Sequence, residues 1–143
     1  MEVKAPTSTR PGLLVLVFFG GAVGTAVRWA LEARFGAPAG TWPWTTLAIN
    51  LIGSFLLGGV LEALAATGPD NGWRRKARLG VGTGVLGGFT TYSTFSVETV
   101  NLIRAGVAWQ GLAYAVTSVA VGITLAFAGT RTARALVRRR RNA

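Results

Sequence analysis

Nineteen residues, Gly80 to Glu98 (GVGTGVLGGFTTYSTFSVE), restrict the fold more than any other part of this chain. They lie inside an apolar segment, yet five of the first nine are glycine and six hydroxyl side chains crowd between Thr90 and Ser96. Glycine weakens a helix by about 1 kcal/mol relative to alanine, and Ser and Thr side chains compete for the helix's own backbone groups. Lipid offers those groups no partner, so such a run survives in a membrane only where protein or a water-filled path satisfies it. The expectation is a helix broken near its middle, whose freed carbonyls and N–H groups suit ions.

The remaining chain reads as membrane protein. Apolar runs at Leu13–Leu31, Thr45–Ala65, Arg78–Leu102 and Trp109–Gly129 each reach the roughly 20 residues that a bilayer requires. The fold class expected is therefore all-α, an integral membrane protein of four transmembrane helices with the third broken at its centre. Residues 1–12 are polar, carry Pro6 and Pro11, and are expected to be a disordered lead; residues 13–130 form the four-span domain and 131–143 a basic tail. Leu13 to Gly24 is similar to a secretory signal core, but Arg28 interrupts it and no small-x-small cleavage site follows, so it reads as a retained first span.

Charge sets the orientation. The chain carries a net +10 with neither Cys nor His, which excludes disulfides, thiol or imidazole chemistry and any metal site that needs those ligands. On a soluble domain such a charge would point to nucleic acid, but here the basic residues flank long uncharged runs, as at membrane surfaces. No nucleic-acid partner is expected. With four spans and both termini inside, Lys4, Arg10, Arg74, Arg75, Lys76, Arg78 and the six tail arginines lie in the cytoplasm, leaving Arg34 and Arg104 outside. Twelve against two predicts a single orientation in the plasma membrane.

Several polar residues punctuate the spans. Gly20, Gly24 and Arg28 share one helix face; the glycines suit close helix packing, and Arg28 either snorkels to the interface or places an internal charge beside an anion path. Asn50, Ser54 and Gly58 form a polar or small stripe, and Asn50 either holds helices together or faces a path. Beyond the break, Tyr92, Phe95 and Thr99 share a face. Glu98 is expected to be paired or near an aqueous mouth, and Tyr114, Ser118 and Gly122, with Thr117 alongside, make a second polar stripe. Four thin helices are few for enclosing a path, so assembly into a dimer or larger unit is expected.

GGAVGTAVRW at 20–29, TLAINLIGSFLLG at 46–58 and GVLGGFTTYSTFSVE at 84–98 resemble, in order and over nearly the whole chain, the small bacterial fluoride channels, also called camphor-resistance proteins. The resemblance implies an antiparallel dimer with two narrow fluoride paths along the interface. It implies Asn50 as the path-lining amide donor, Tyr92 and Phe95 in the ring cluster beside fluoride, and polar contacts from Ser93, Thr94, Tyr114, Thr117 and Ser118. Arg28 matches the family's first-span arginine and Glu98 its carboxylate after the aromatic pair. The Gly87 and Thr90 backbone carbonyls are implied ligands of a structural Na+ at the subunit interface.

Elementary chemistry agrees with those roles. Fluoride is small and firmly hydrated, so a path must replace water with hydrogen-bond donors, and an anion approaches the positive edges of aromatic rings. Two features depart from the family pattern: Tyr92 stands where phenylalanine is usual, and the charge bias disfavours insertion in both orientations. The second subunit is thus either the same chain or, as the bias favours, an oppositely oriented paralogue. The function implied is passive, potential-driven fluoride export across the bacterial cell membrane. The alternatives are a proton-coupled carrier using Glu98 or Glu62, and a small multidrug-type exporter, which would want a carboxylate inside the first span. An assembly subunit is a further reading. An enzyme is not expected, because no acid/base pair converges and the glycines of 80–88 lack the Gly-Lys-Ser/Thr ending of a phosphate loop.

Overall fold

The computed structural model describes residues 11–142, with side chains described to residue 140. Among the described residues the regular elements are all helical: α1 (Pro11–Phe35), α2 (Trp44–Ala66), α3 (Gly72–Ala77), a π-helical segment (Arg78–Leu86), α4 (Gly87–Phe89), α5 (Tyr92–Arg104) and α6 (Ala108–Asn142). Three helices are long and apolar enough to cross a membrane, namely Pro11–Phe35, Trp44–Ala66 and the part of α6 from Ala108 to Arg140. The segment 78–104 is the broken element. It runs as a π-helix, then one α-turn, and opens at Thr90 (φ −77°, ψ 157°) and Thr91 (φ −144°, ψ 125°) before α5 begins.

Few large apolar side chains are buried. Leu47, Leu102 and Tyr114 make one small core where α2, α5 and α6 meet, with Trp42, Leu51, Phe95 and Val107 packed on it. Phe18, Phe19, Trp29, Leu112 and Phe127 are instead exposed. In water this distribution would be ruinous; in hydrocarbon an apolar outer surface is the favourable one.

Glycine lets the broken element approach α1. A methyl on Gly20 would meet Gly84 Cα and Val85 N at 3.1 Å, and one on Gly24 would collide with the Val85 carbonyl. Gly88 likewise presses on the Gly21 backbone. Backbone thus packs on backbone along a seam, the arrangement that small residues permit in membranes. Gly84 of this seam also lies in the π-helical segment, where glycine's weak α-helix propensity permits an irregular turn. On the other side α2 pairs extensively with α6, where Gly58 lies on the Ala126 carbonyl and Gly129 on that of Phe55.

Some boundaries differ from the sequence expectations. Pro11 and Gly12, expected in a disordered lead, open α1, and a proline is well tolerated in a helix's first turn; residues 1–10 lie outside the described residues. The loop expected over 66–77 carries the short helix α3. The basic tail continues α6 without interruption, and Arg134 Nε binds Glu62 Oε1 at 2.6 Å, tying the extension to the end of α2.

The seam yields a paired prediction. Gly24→Val forces α1 away from Val85 and is expected to cost about 1–3 kcal/mol or more, as overpacking does. Gly12→Ala, whose new methyl meets nothing within 4 Å among the described residues, leaves stability level or raises it. Melting of the detergent-solubilised protein, followed by circular dichroism, checks both; equal Tm values for the two variants would refute the seam's importance.

Candidate functional site

The break leaves backbone groups that a continuous helix would have paired, and residues from two other helices take them up. A regular α-helix would direct the Thr91 N–H at the Gly87 carbonyl. Here it goes to Asn50 Oδ1 at 2.8 Å, while Asn50 Nδ2 donates to the Thr91 carbonyl at 2.9 Å. One α2 side chain therefore satisfies both backbone groups of one residue at the break. On the α1 side, Arg28 Nε donates to the Gly88 carbonyl at 3.3 Å, and its Nη1 lies 3.3 Å from Glu32 Oε2. The guanidinium therefore faces inward, bonded to the break, and does not only snorkel.

α5 starts cleanly because Thr91 caps it. The Thr91 hydroxyl accepts from Thr94 N at 3.1 Å and donates to Thr94 Oγ1, also at 3.1 Å. Ser93 Oγ is 3.2 Å from the same hydroxyl. Such a cap is worth about 1 kcal/mol in a helix. Thr90 folds its hydroxyl back onto the Leu86 carbonyl at 2.9 Å.

Beside this break runs an open groove of about 310 Å³. Asn50, Ser54, Thr91, Tyr92, Phe95 and Ser118 contribute to its lining. Asn50 Nδ2 keeps a second proton beyond the one given to Thr91. Ser118 Oγ is buried without a hydrogen-bond partner among the described residues. A buried hydroxyl of that kind is costly unless something arrives to bond it. Phe95 stacks between Tyr92 and Tyr114, with ring centroids 5.9 and 5.3 Å away. The groove accordingly offers an amide N–H, a hydroxyl and aromatic rings to one small ligand.

The other expected site residues divide. Tyr92 sits on the rim and is 81% exposed, its ring turned outward from the helices described. Ser93 and Thr94 are drawn to the Thr91 hydroxyl and do not line the groove. Tyr114 is completely buried behind Phe95, and Thr117 does not reach the groove. Tyr114 OH donates to Glu98 Oε2 at 2.8 Å and Thr46 Oγ1 to Glu98 Oε1 at 2.6 Å, so the expected pairing of Glu98 is met by two hydroxyls. Glu98 and Asn101 also border a small pocket under the 37–43 loop. Gly87 is exposed, and neither its carbonyl nor that of Thr90 accepts a side-chain hydrogen bond among the described residues.

Sequence reasoning missed Thr91 and Thr46. The signal for Thr91 was a hydroxyl residue directly before a new amphipathic run, the ordinary mark of a helix N-cap. Thr46 stands one turn before Asn50 on the same face of α2, but nothing in the sequence links it to Glu98.

Comparison with known proteins identifies the family. Residues 15–130 match the family described as CrcB-like protein, Camphor Resistance (CrcB). A Cutibacterium acnes protein named fluoride-specific ion channel FluC 1 is 49% identical over 118 residues, covering 82% of each chain. Fluoride-specific ion channel FluC 2 of Leifsonia xyli is 50% identical over 116 residues, 81% of this chain and 79% of that one. A fluoride-specific ion channel FluC of Thermus thermophilus is 44% identical over 124 residues, 86% of this chain and 96% of its own. With the match spanning the first helix, the broken element and the membrane part of the last, this chain belongs to the CrcB family.

Proposed function

We propose that this chain is a subunit of a fluoride-specific channel that lets fluoride leave the cell passively. The observation that carries the reading is the groove beside the break, where the Asn50 amide, the Ser118 hydroxyl and the Phe95 ring converge in a membrane-embedded setting. The names of its relatives supply the ion. Hydrogen-bond donors suit an anion whose hydration must be replaced group by group. The inside-negative potential drives export, at about 2.3 kcal/mol per charge per 100 mV.

In this reading the broken element 78–104 is the fourth crossing, both termini face the cytoplasm of a bacterial cell, and two subunits pair antiparallel. The groove is open on the side bearing Tyr92, which is where a second surface would close it. Phe95 and Tyr92 then present ring edges to the ion, and Asn50 and Ser118 hand it along. Ser93, Thr94, Tyr114 and Thr117 act at the margins of the path. Glu98, with both oxygens bonded to hydroxyls, anchors Tyr114 behind the ring cluster. Arg28 keeps the break open from the α1 side.

The donor set at the break fits a sodium ion. The Gly87 carbonyl has lost the Thr91 N–H to Asn50, and Thr90 is extended. Such oxygens suit a hard cation, and one pair from each subunit would hold it at the interface. Bound there, the ion would neutralise carbonyl dipoles and link the two breaks. The second subunit is the same chain or an oppositely oriented paralogue; the imbalance of basic residues favours the paralogue.

Liposomes containing the purified chain, with and without an oppositely oriented relative, should release fluoride rapidly and chloride not at all when valinomycin sets an inside-negative potential. Flux independent of pH separates a channel from a proton-coupled carrier, and absence of flux from folded protein in both preparations would sink the proposal. Asn50→Ala is expected to cut flux at least tenfold, since a hydrogen bond to a charged group is worth about 1.5–3 kcal/mol. Asn50→Asp retains an acceptor for the Thr91 N–H but sets a negative charge on the path, so its flux should fall further while its helicity holds. Replacing all sodium with N-methylglucamine should slow flux and lower Tm; no change in either would remove the sodium site and leave the channel reading standing.

A further inference from the structure

The four basic residues after α2 are not equivalent. Arg78 pairs with Asp70 at 2.7 Å, and that guanidinium holds the Asp70 carboxyl below the usual carboxylate range. Arg74 donates to the Thr67 hydroxyl at 3.2 Å and lies over the Trp73 ring. Arg75 and Lys76 make no side-chain hydrogen bond or ion pair among the described residues, and the Arg75 Nε is buried without a partner. A dry, unbonded guanidinium nitrogen is expensive.

Both residues line a cleft of about 570 Å³ between the start of α1 and α3. Its two walls differ in chemistry. Arg75, Lys76 and Asn71 form the polar wall, where Asp70 is already neutralised by Arg78. Leu13 and Leu16 form the other, and it continues into the exposed apolar surface of α1 at Leu14, Val15 and Phe18. The cleft therefore lies where a membrane-spanning helix begins, with cations on one side and a greasy surface on the other.

We infer that this cleft binds an anionic phospholipid, Arg75 and Lys76 holding the headgroup phosphate while an acyl chain runs along Leu13 and Leu16. An amphiphile is favoured over a free anion because half of the lining would be wasted on phosphate alone. Charge complementarity favours an anionic over a zwitterionic headgroup, since two cations in the cleft have no acidic partner among the described residues. The inference stands apart from the fluoride reading, because none of these residues lines the groove at the break.

The test uses the full-length chain in neutral detergent, with lipid retention read by native mass spectrometry and Tm by circular dichroism. Phosphatidylglycerol should be retained at least tenfold more than phosphatidylcholine and should raise Tm. Arg75→Gln with Lys76→Gln should abolish the preference, Arg75→Lys should keep part of it, and Arg138→Gln on the α6 extension should leave it unchanged. Monodisperse elution of every variant separates lost binding from lost folding. Equal retention of the two lipids, or a preference that survives in the double variant, overturns the site; a cleft covered by residues 1–10 or by a second copy gives that result. Competition by soluble glycerol 3-phosphate as strong as by phosphatidylglycerol overturns the lipid and leaves a phosphate site.

Discussion

A backbone break inside a membrane is tolerable only if its freed groups are bonded, and the reciprocal pair between the Asn50 amide and the Thr91 backbone does this. Each backbone group left without a partner in hydrocarbon costs several kcal/mol, so the opening at Thr90 and Thr91 depends on that side chain. The dependence runs both ways. Asn50 is itself a costly group in an apolar helix, and the break gives it two partners. Its position two turns before Gly58, where α2 approaches α6, fixes the amide relative to the rest of the bundle.

The opposite flank is held by different physics. Along α1 the broken element is anchored by backbone contact through Gly20, Gly24, Gly84 and Gly88, with Arg28 donating to the Gly88 carbonyl. Dispersion over a close seam replaces side-chain interdigitation, and the wide π-turns bring the backbone within reach. Between the two flanks Gly87 and Tyr92 are left exposed.

Much of this was legible in the sequence because membranes make patterns blunt. Twenty-residue apolar runs bounded by arginine identify α1, α2 and the membrane part of α6, and the glycine and hydroxyl density at 80–96 marks the break. The path role expected of Asn50 came from the family likeness, since its own stripe allowed either a packing or a path role, and its pairing with the Thr91 backbone appears only in the fold. What the sequence could not carry were pairings across elements. Thr46 and Tyr114 are ordinary on their own helices, and only the fold brings both hydroxyls onto Glu98. Ser93 and Thr94 were singled out by the family likeness, and their contacts with the Thr91 hydroxyl at the start of α5 are a further pairing that only the fold displays. The π-turns were also hidden, because glycine signals weak helix without saying which irregular helix replaces it.

The exposed Tyr92 links assembly to selectivity in the proposed channel. Its ring is tilted against Phe95 at the groove's rim, so closing the groove with a second subunit would bury the ring and its hydroxyl together. A buried phenol hydroxyl must find a partner, and in the proposed channel the candidates include the carbonyls of the break and the passing anion. If the hydroxyl bonds a carbonyl, it competes with the cation that the same oxygens suit. Should it instead point along the path, it adds one donor to a line that phenylalanine would leave with ring edges alone. In the proposed channel a tyrosine at this position would therefore add a hydrogen-bonding group to a rim where phenylalanine offers only a ring, and the approach of a second surface would decide which acceptor it meets.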